Sequence, residues 1–297
     1  MMGVLNHLST LLLLSLLPPA LSHVVEKFSD VPQCKSFFLK GTTPNLPGIL
    51  VGGKVQDQNR YKPICQLFNN IYRFATLYDT TNRIPVFSAY TFTGPPTGPR
   101  PNQPWMIEPQ LEDEMEVENY NITHQAADAD YINNKVLDRG QLFPNSQAPD
   151  DTTKRSTFTL TNTVPQDRTF NKGSWKTMER NVKTTLETDC ININGNIEAY
   201  VVTGAVPSKS NTLKERVNIP DLLWTAFCCK NNRGQWVAGA HWGRNKNETT
   251  VNPVTLEALE KLLNKRGHVQ VFPKDCPRRH ELPPNPYSLP LTPTPYH

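Results

Sequence analysis

Beyond residue 22 the sequence has no apolar run longer than a few residues, so nothing there reaches the roughly 20 residues a membrane-crossing helix needs. It has no internal repeats, which argues against solenoid and propeller architectures. It also lacks a Cys-x-x-Cys pair: the spacing of Cys34, Cys65, Cys190, Cys228, Cys229 and Cys276 supports no redox or zinc-knuckle reading. Nor is there a large excess of one charge. The net +4 permits a nucleic-acid partner without demanding one.

At the start, Leu11 to Leu17 form a short apolar stretch followed by Pro18, Pro19, Ala20, Leu21 and Ser22. This reads as a secretory signal peptide over residues 1–22, cleaved after Ser22, with an uncleaved anchor as the alternative because the preceding residues carry no Lys or Arg. All six cysteines lie beyond it, and an even number in a secretory setting predicts disulfides. Cys34 with Cys65 would close an N-terminal loop, and Cys190 and Cys276 would divide Cys228 and Cys229 between them. The expected location is extracellular or the lumen of the secretory pathway. Asn121 and Asn247 each open an Asn-x-Thr glycosylation pattern and are expected on the surface.

From Val24 to Tyr78, apolar runs (Phe37 to Leu39, Ile49 to Val51, Ile64 to Leu67) alternate with Gly and Pro and predict strands broken by turns. Arg83 to Phe92 is the best strand of the first half, rich in β-branched and aromatic residues. The acidic run from Glu112 to Glu116 reads as a solvated loop. Alternation predicts a strand over Ser156 to Asn162, and further strands are expected over Ala199 to Gly204 and Pro220 to Cys228. Helices are expected over Gly173 to Leu186 (Trp175, Met178, Val182, Leu186) and Thr255 to Asn264. One domain over 23–276 is therefore expected, followed by a Pro-rich disordered tail over 277–297.

Three pieces carry chemistry: Asp138-Arg139-Gly140-Gln141, then Asn162 to Gln166 (Asn-x-x-Pro-Gln), then Asn171 with Trp175 four residues on and Glu179 eight residues on. Singly each has a plain structural reading, as a turn, an N-cap or a solvated helix face. In this order and spacing they resemble the DNA/RNA non-specific endonuclease family over roughly residues 80 to 265. The N-terminal cysteines and the Gln look most like the animal endonuclease domain-containing 1 branch. The resemblance implies a disulfide-stabilised α+β fold, the ββα-metal nuclease fold with an antiparallel sheet and packed helices. It also implies one hydrated Mg²⁺ (or Mn²⁺) on Asn171, with DNA or RNA as partner. Arg139 would face the scissile phosphate, Glu179 would hold metal waters, and Asn162 would brace the motif.

Gln141 stands where the family has the His that takes a proton from the attacking water, and an amide is no general base near neutral pH. His124 and His241 are the candidate replacements, and Arg100 is a loose counterpart of a second family arginine. The favoured expectation is a secreted Mg²⁺-dependent endonuclease, weakened at Gln141. The alternative is an inactive nuclease-fold protein that binds nucleic acid or a protein partner.

Overall fold

The computed structural model describes residues 23–95, 97–112, 122–247, 249–264 and 267–279. The signal segment 1–22, the glycosylation site Asn121 and the tail from residue 280 lie outside the described residues. No described helix is long and apolar enough to cross a membrane.

Seven strands form one antiparallel sheet: β1 Tyr61–Phe68, β2 Ile71–Asp79, β3 Ile84–Phe92, β6 Ala199–Val206, β7 Leu222–Lys230, β8 Trp236–Arg244 and β9 Asn252–Val254. Their spatial order is β9-β8-β7-β6-β3-β2-β1. Two further strands, β4 Leu137–Gln141 and β5 Thr163–Asp167, pair antiparallel outside this sheet. The expected strands at Ile84–Phe92, Ala199–Val206 and Leu222–Lys230 are the three central ones, because β-branched and aromatic side chains suit positions buried on both faces.

Alternation along β7 shows how the two layers are built. Trp224, Ala226 and Cys228 face a layer containing Leu256 and Leu259 of the helix Leu256–Leu263, while Leu223, Phe227 and Cys229 face the helix Lys176–Asp189. That second helix presents Met178, Val182 and Leu186, all buried, at four-residue spacing. Each such side chain contributes about 1.5–3 kcal/mol on burial. Adjacent residues of a strand point to opposite faces, so Cys228 and Cys229 cannot serve the same layer. Cys229 bonds Cys190 at the helix end, Cys228 bonds Cys276, and Cys34 bonds Cys65. The sequence expectation holds, and it resolves which of the paired cysteines takes which partner.

Two local expectations fail. Phe37 to Leu39 is not a strand: it lies between the helical turn Pro32–Lys35 and the 3-10 turn Leu39–Gly41, which closes through Lys40 and Gly41 at positive φ. Ser156 to Asn162 is not a strand either. The helix Asp151–Ser156 ends there and a 3-10 turn covers Leu160–Asn162, because hydroxyls bond back to the chain: Ser156 Oγ to Thr153 O at 2.7 Å and Thr157 Oγ1 to Lys154 O at 2.8 Å. Of the acidic run, residues 113–116 lie outside the described residues; Glu112 itself is not solvated, its side chain being 5% exposed and accepting from the backbone N–H groups of Thr123 and His124.

Candidate functional site

The β4–β5 pair sets Asp138 opposite Gln166, Arg139 opposite Pro165 and Gln141 opposite Thr163. Gly140 is required for this pairing: a Cβ there would sit 2.2 Å from the Gln166 Oε1. Asp167, at the end of β5, caps the following helix by accepting the Phe170 N–H at 2.9 Å. Asn171 is therefore not an N-cap, one of the plain structural readings of the motif. The helix starts at Arg168, and Asn171 begins a π-helical turn over Asn171–Trp175.

The turn is irregular: Gly173 lies outside helical backbone geometry at φ −101°, ψ −108°, so the eight residues from Asn171 to Glu179 do not run along one regular helix.

Asp138 organises the entrance. Its Oδ1 accepts the Arg168 Nε at 2.9 Å, its Oδ2 accepts the Asn171 Nδ2 at 3.2 Å, and Lys172 lies 4.0 Å away. The Asn171 amide is held by its nitrogen, and its Oδ1 accepts no hydrogen bond among the described residues. Sequence reasoning gave Asp138 no role, although it is the first residue of the motif.

Arg139 donates to the Asp128 carboxylate and stacks over the rings of Tyr131 (4.8 Å) and Trp105 (5.5 Å). Gln141 Nε2 donates to Thr157 O at 3.0 Å and Thr157 Oγ1 at 2.9 Å, so its donor group is turned into the fold. Asn162 is wholly buried: Oδ1 accepts from Ser88 Oγ (2.8 Å) and Phe143 N (2.9 Å), and Nδ2 donates to Phe143 O and Thr157 O, both at 3.1 Å. It braces the loop from beneath and is closed to a substrate.

Glu179 shares a small cavity with Tyr90, Gln147, Trp175, Thr203 and Thr225. Desolvation pushes its carboxyl up to about 8, opposed by the Trp175 indole, Arg100 and Lys176. The Trp175 Nε1 nonetheless meets no acceptor at full hydrogen-bonding geometry, so we regard that opposition as weak. Partial burial of its guanidinium holds Arg100 below its ordinary value, opposed by the Glu179 carboxyl, so the two lie near one another.

The candidate replacement bases are differently placed. His241 lies in β8 opposite Thr225 and Pro253, 8% exposed, with burial pushing its ring down to about 4 and its Nδ1 unpartnered. His124 Nδ1 is 3.1 Å from Thr123 Oγ1 and 3.4 Å from Glu112. No described hydrogen bond or ion pair ties His241 to Asp138, Asn171 or Glu179.

The sequence model of the family described as DNA/RNA non-specific endonuclease matches residues 58–274. The chain belongs to the DNA/RNA non-specific endonuclease family. It is 31% identical over 266 residues to the Endonuclease domain-containing 1 protein of Homo sapiens, covering 85% of this chain and 49% of that protein. The Mus musculus protein of the same name is 32% identical over 257 residues, covering 82% and 47%. The chain thus spans about half the length of these relatives. A solved structure titled "Crystal structure of the EndoG/EndoGI complex: Mechanism of EndoG inhibition" matches at 19% identity and a TM-score of 0.49, over 66% of this chain and 83% of that one.

Within this endonuclease-family domain the Glu179 environment makes a direct stability prediction. Its folded-state pKa lies above the ordinary 4.5, so the folded protein binds the extra proton between about 4.5 and 8. Stability from this group is full below that window and is lost as pH rises through it. Glu179→Gln, measured by thermal unfolding in EDTA, is expected to match the native protein at pH 5 and to exceed it in Tm at pH 9. A Tm difference that does not change with pH would sink this account.

Proposed function

We propose that the chain is a secreted, metal-dependent endonuclease that hydrolyses phosphodiester bonds of DNA and RNA without sequence preference. The observation that carries this reading is Asn171, held through its amide nitrogen by Asp138 with its Oδ1 uncommitted among the described residues. The available donors are oxygens, and no cluster of three or more His, Cys, Asp or Glu gathers among the described residues. Such a donor set fits Mg²⁺ or Mn²⁺, which accept few protein ligands and keep water. When bound, the ion supplies positive charge against the phosphate oxygens and acidifies water.

Arg139 takes the scissile phosphate by exchanging the Asp128 carboxylate for a phosphate oxygen. Asp128 is 57% exposed, so little is lost in that exchange. Asp138 orients Asn171, Asn162 supports the loop around Gln141, Gln141 orients water through its oxygen, and Glu179 holds solvent near the metal. Export through the signal segment 1–22 agrees with three disulfides, which persist in oxidising compartments.

The test is cleavage of plasmid DNA and of RNA by the purified chain with Mg²⁺ or Mn²⁺. Asn171→Ala is expected to abolish it, as EDTA should. A native chain inert with both metals would support a second reading, a nucleic-acid-binding protein without turnover, which the absence of a base at Gln141 favours.

A further inference from the structure

Alongside the site five side chains form a continuous stack of arginines and aromatic rings. Arg100 lies 4.7 Å over the ring of Phe158, Phe158 is 5.1 Å from Trp105, and Arg139 is sandwiched with Trp105 and Tyr131 at 5.5 and 4.8 Å. Arg100 ends the stack and Arg139 lies within it, between Trp105 and Tyr131; Arg139 belongs to the Asp138–Gln141 motif. Phe158 is buried, whereas Trp105 is only half-buried and Arg100 is exposed.

The stack is held in place before any ligand arrives. The backbone just after Trp105 is fixed because Met106 donates to Phe158 O and receives from Leu160 N, both at 2.8 Å. The loop leading to Arg100 is fastened by Lys154, a lysine only 2% exposed, whose ammonium donates to the carbonyls of Thr97, Gly98 and Pro99. A rigid aromatic held between a ring and a cation loses little conformational freedom on binding.

We propose that Trp105 is the base-stacking residue of a track for unpaired nucleotides that runs from Arg100 to Arg139 across the front of the site. Aromatic side chains flanked by cations bind single strands because an unstacked base can lie on the ring while the arginines take the backbone phosphates. A base inside a duplex has both faces covered and cannot use the indole. The track therefore selects single-stranded DNA, RNA loops or frayed ends. The inference rests on the nucleic-acid reading of this site, but not on turnover.

The experiment measures binding in EDTA of a fluorescein-labelled oligo-dT and of a duplex of the same length, at one fixed salt concentration. The native protein is expected to bind oligo-dT more tightly. Trp105→Ala should weaken oligo-dT binding roughly 5- to 150-fold, the worth of one stacked base, and leave duplex binding unchanged. Trp105→Phe should restore most of the loss. If Trp105→Ala fails to fold, Trp105→Phe against Trp105→Leu reads the same difference between an aromatic and an aliphatic side chain. Equal weakening on both probes, or none, overturns the track. A chain that shows Trp105-dependent binding but cuts nothing loses the nuclease reading and keeps the track. One that cuts with no dependence of binding on Trp105 loses the track alone.

Discussion

Gln141→His is expected to raise metal-dependent cleavage of plasmid DNA by on the order of 10²–10⁴ over the native chain, the usual contribution of a general base. The geometry is favourable. The Gln141 amide nitrogen donates to the Thr157 carbonyl at 3.0 Å, and an imidazole at that position can donate one ring N–H to the same carbonyl. A hydrogen bond of that kind fixes the tautomer and leaves the other ring nitrogen as the proton acceptor. The pH profile supplies a second readout: the variant should gain an acidic limb near the ordinary histidine pKa of about 6.5, and the native chain should lack it. An unchanged rate with an unchanged profile would mean that Gln141 does not occupy the position of the base.

What the sequence made legible divides along physical lines. The central strands were readable because Ile84–Phe92, Ala199–Val206 and Leu222–Lys230 combine strong β-formers with burial on both faces. The helix Leu256–Leu263 was readable from its apolar spacing, and the disulfides from cysteine count and compartment. Strand Trp236–Arg244 carries no such signal, because Ala238, Gly239, Ala240 and Gly243 are weak β-formers; at Gly243 the small residue is required, since a Cβ would press on the Phe170 ring at 3.0 Å. Hydroxyl-rich Ser156 to Asn162 alternates like a strand, yet its side chains bond locally and turn the backbone.

At the site, the residues of the three motifs were visible as types in order. Their relations were not, since they arise from pieces far apart in the chain. Asp138 meets Arg168 and Asn171 only once the β4–β5 pair has formed, and the π turn that begins at Asn171 leaves no mark on the residue pattern. The stack on Arg139 is assembled from Trp105 and Tyr131, on either side of the acidic run. Lys154 reads as a surface lysine, and it is buried only because three successive carbonyls are available to receive its ammonium.

Asn162→Ala is expected to cost on the order of 3 kcal/mol or more of folding stability in urea denaturation. The native amide satisfies four groups at once: the Ser88 hydroxyl, the Phe143 N–H, and the carbonyls of Phe143 and Thr157. All are enclosed, with Asn162 at 0% exposure, so truncation removes their partner where the amide shut out solvent. Asn162→Asp separates this loss from that of volume, because the carboxylate keeps the shape but turns an oxygen toward two carbonyl oxygens. That variant should also be markedly destabilised at neutral pH and should partly recover as acid protonates the new carboxyl. An Asp variant as stable as the native chain at pH 7 would contradict the hydrogen-bond account. Three of these bonds tie Phe143 and Thr157 together, and Thr157 holds Gln141, so the brace also sets where a base at 141 can stand. Combined with Gln141→His, the Asn162→Ala change should therefore erase most of the gained activity at temperatures where the protein is still folded.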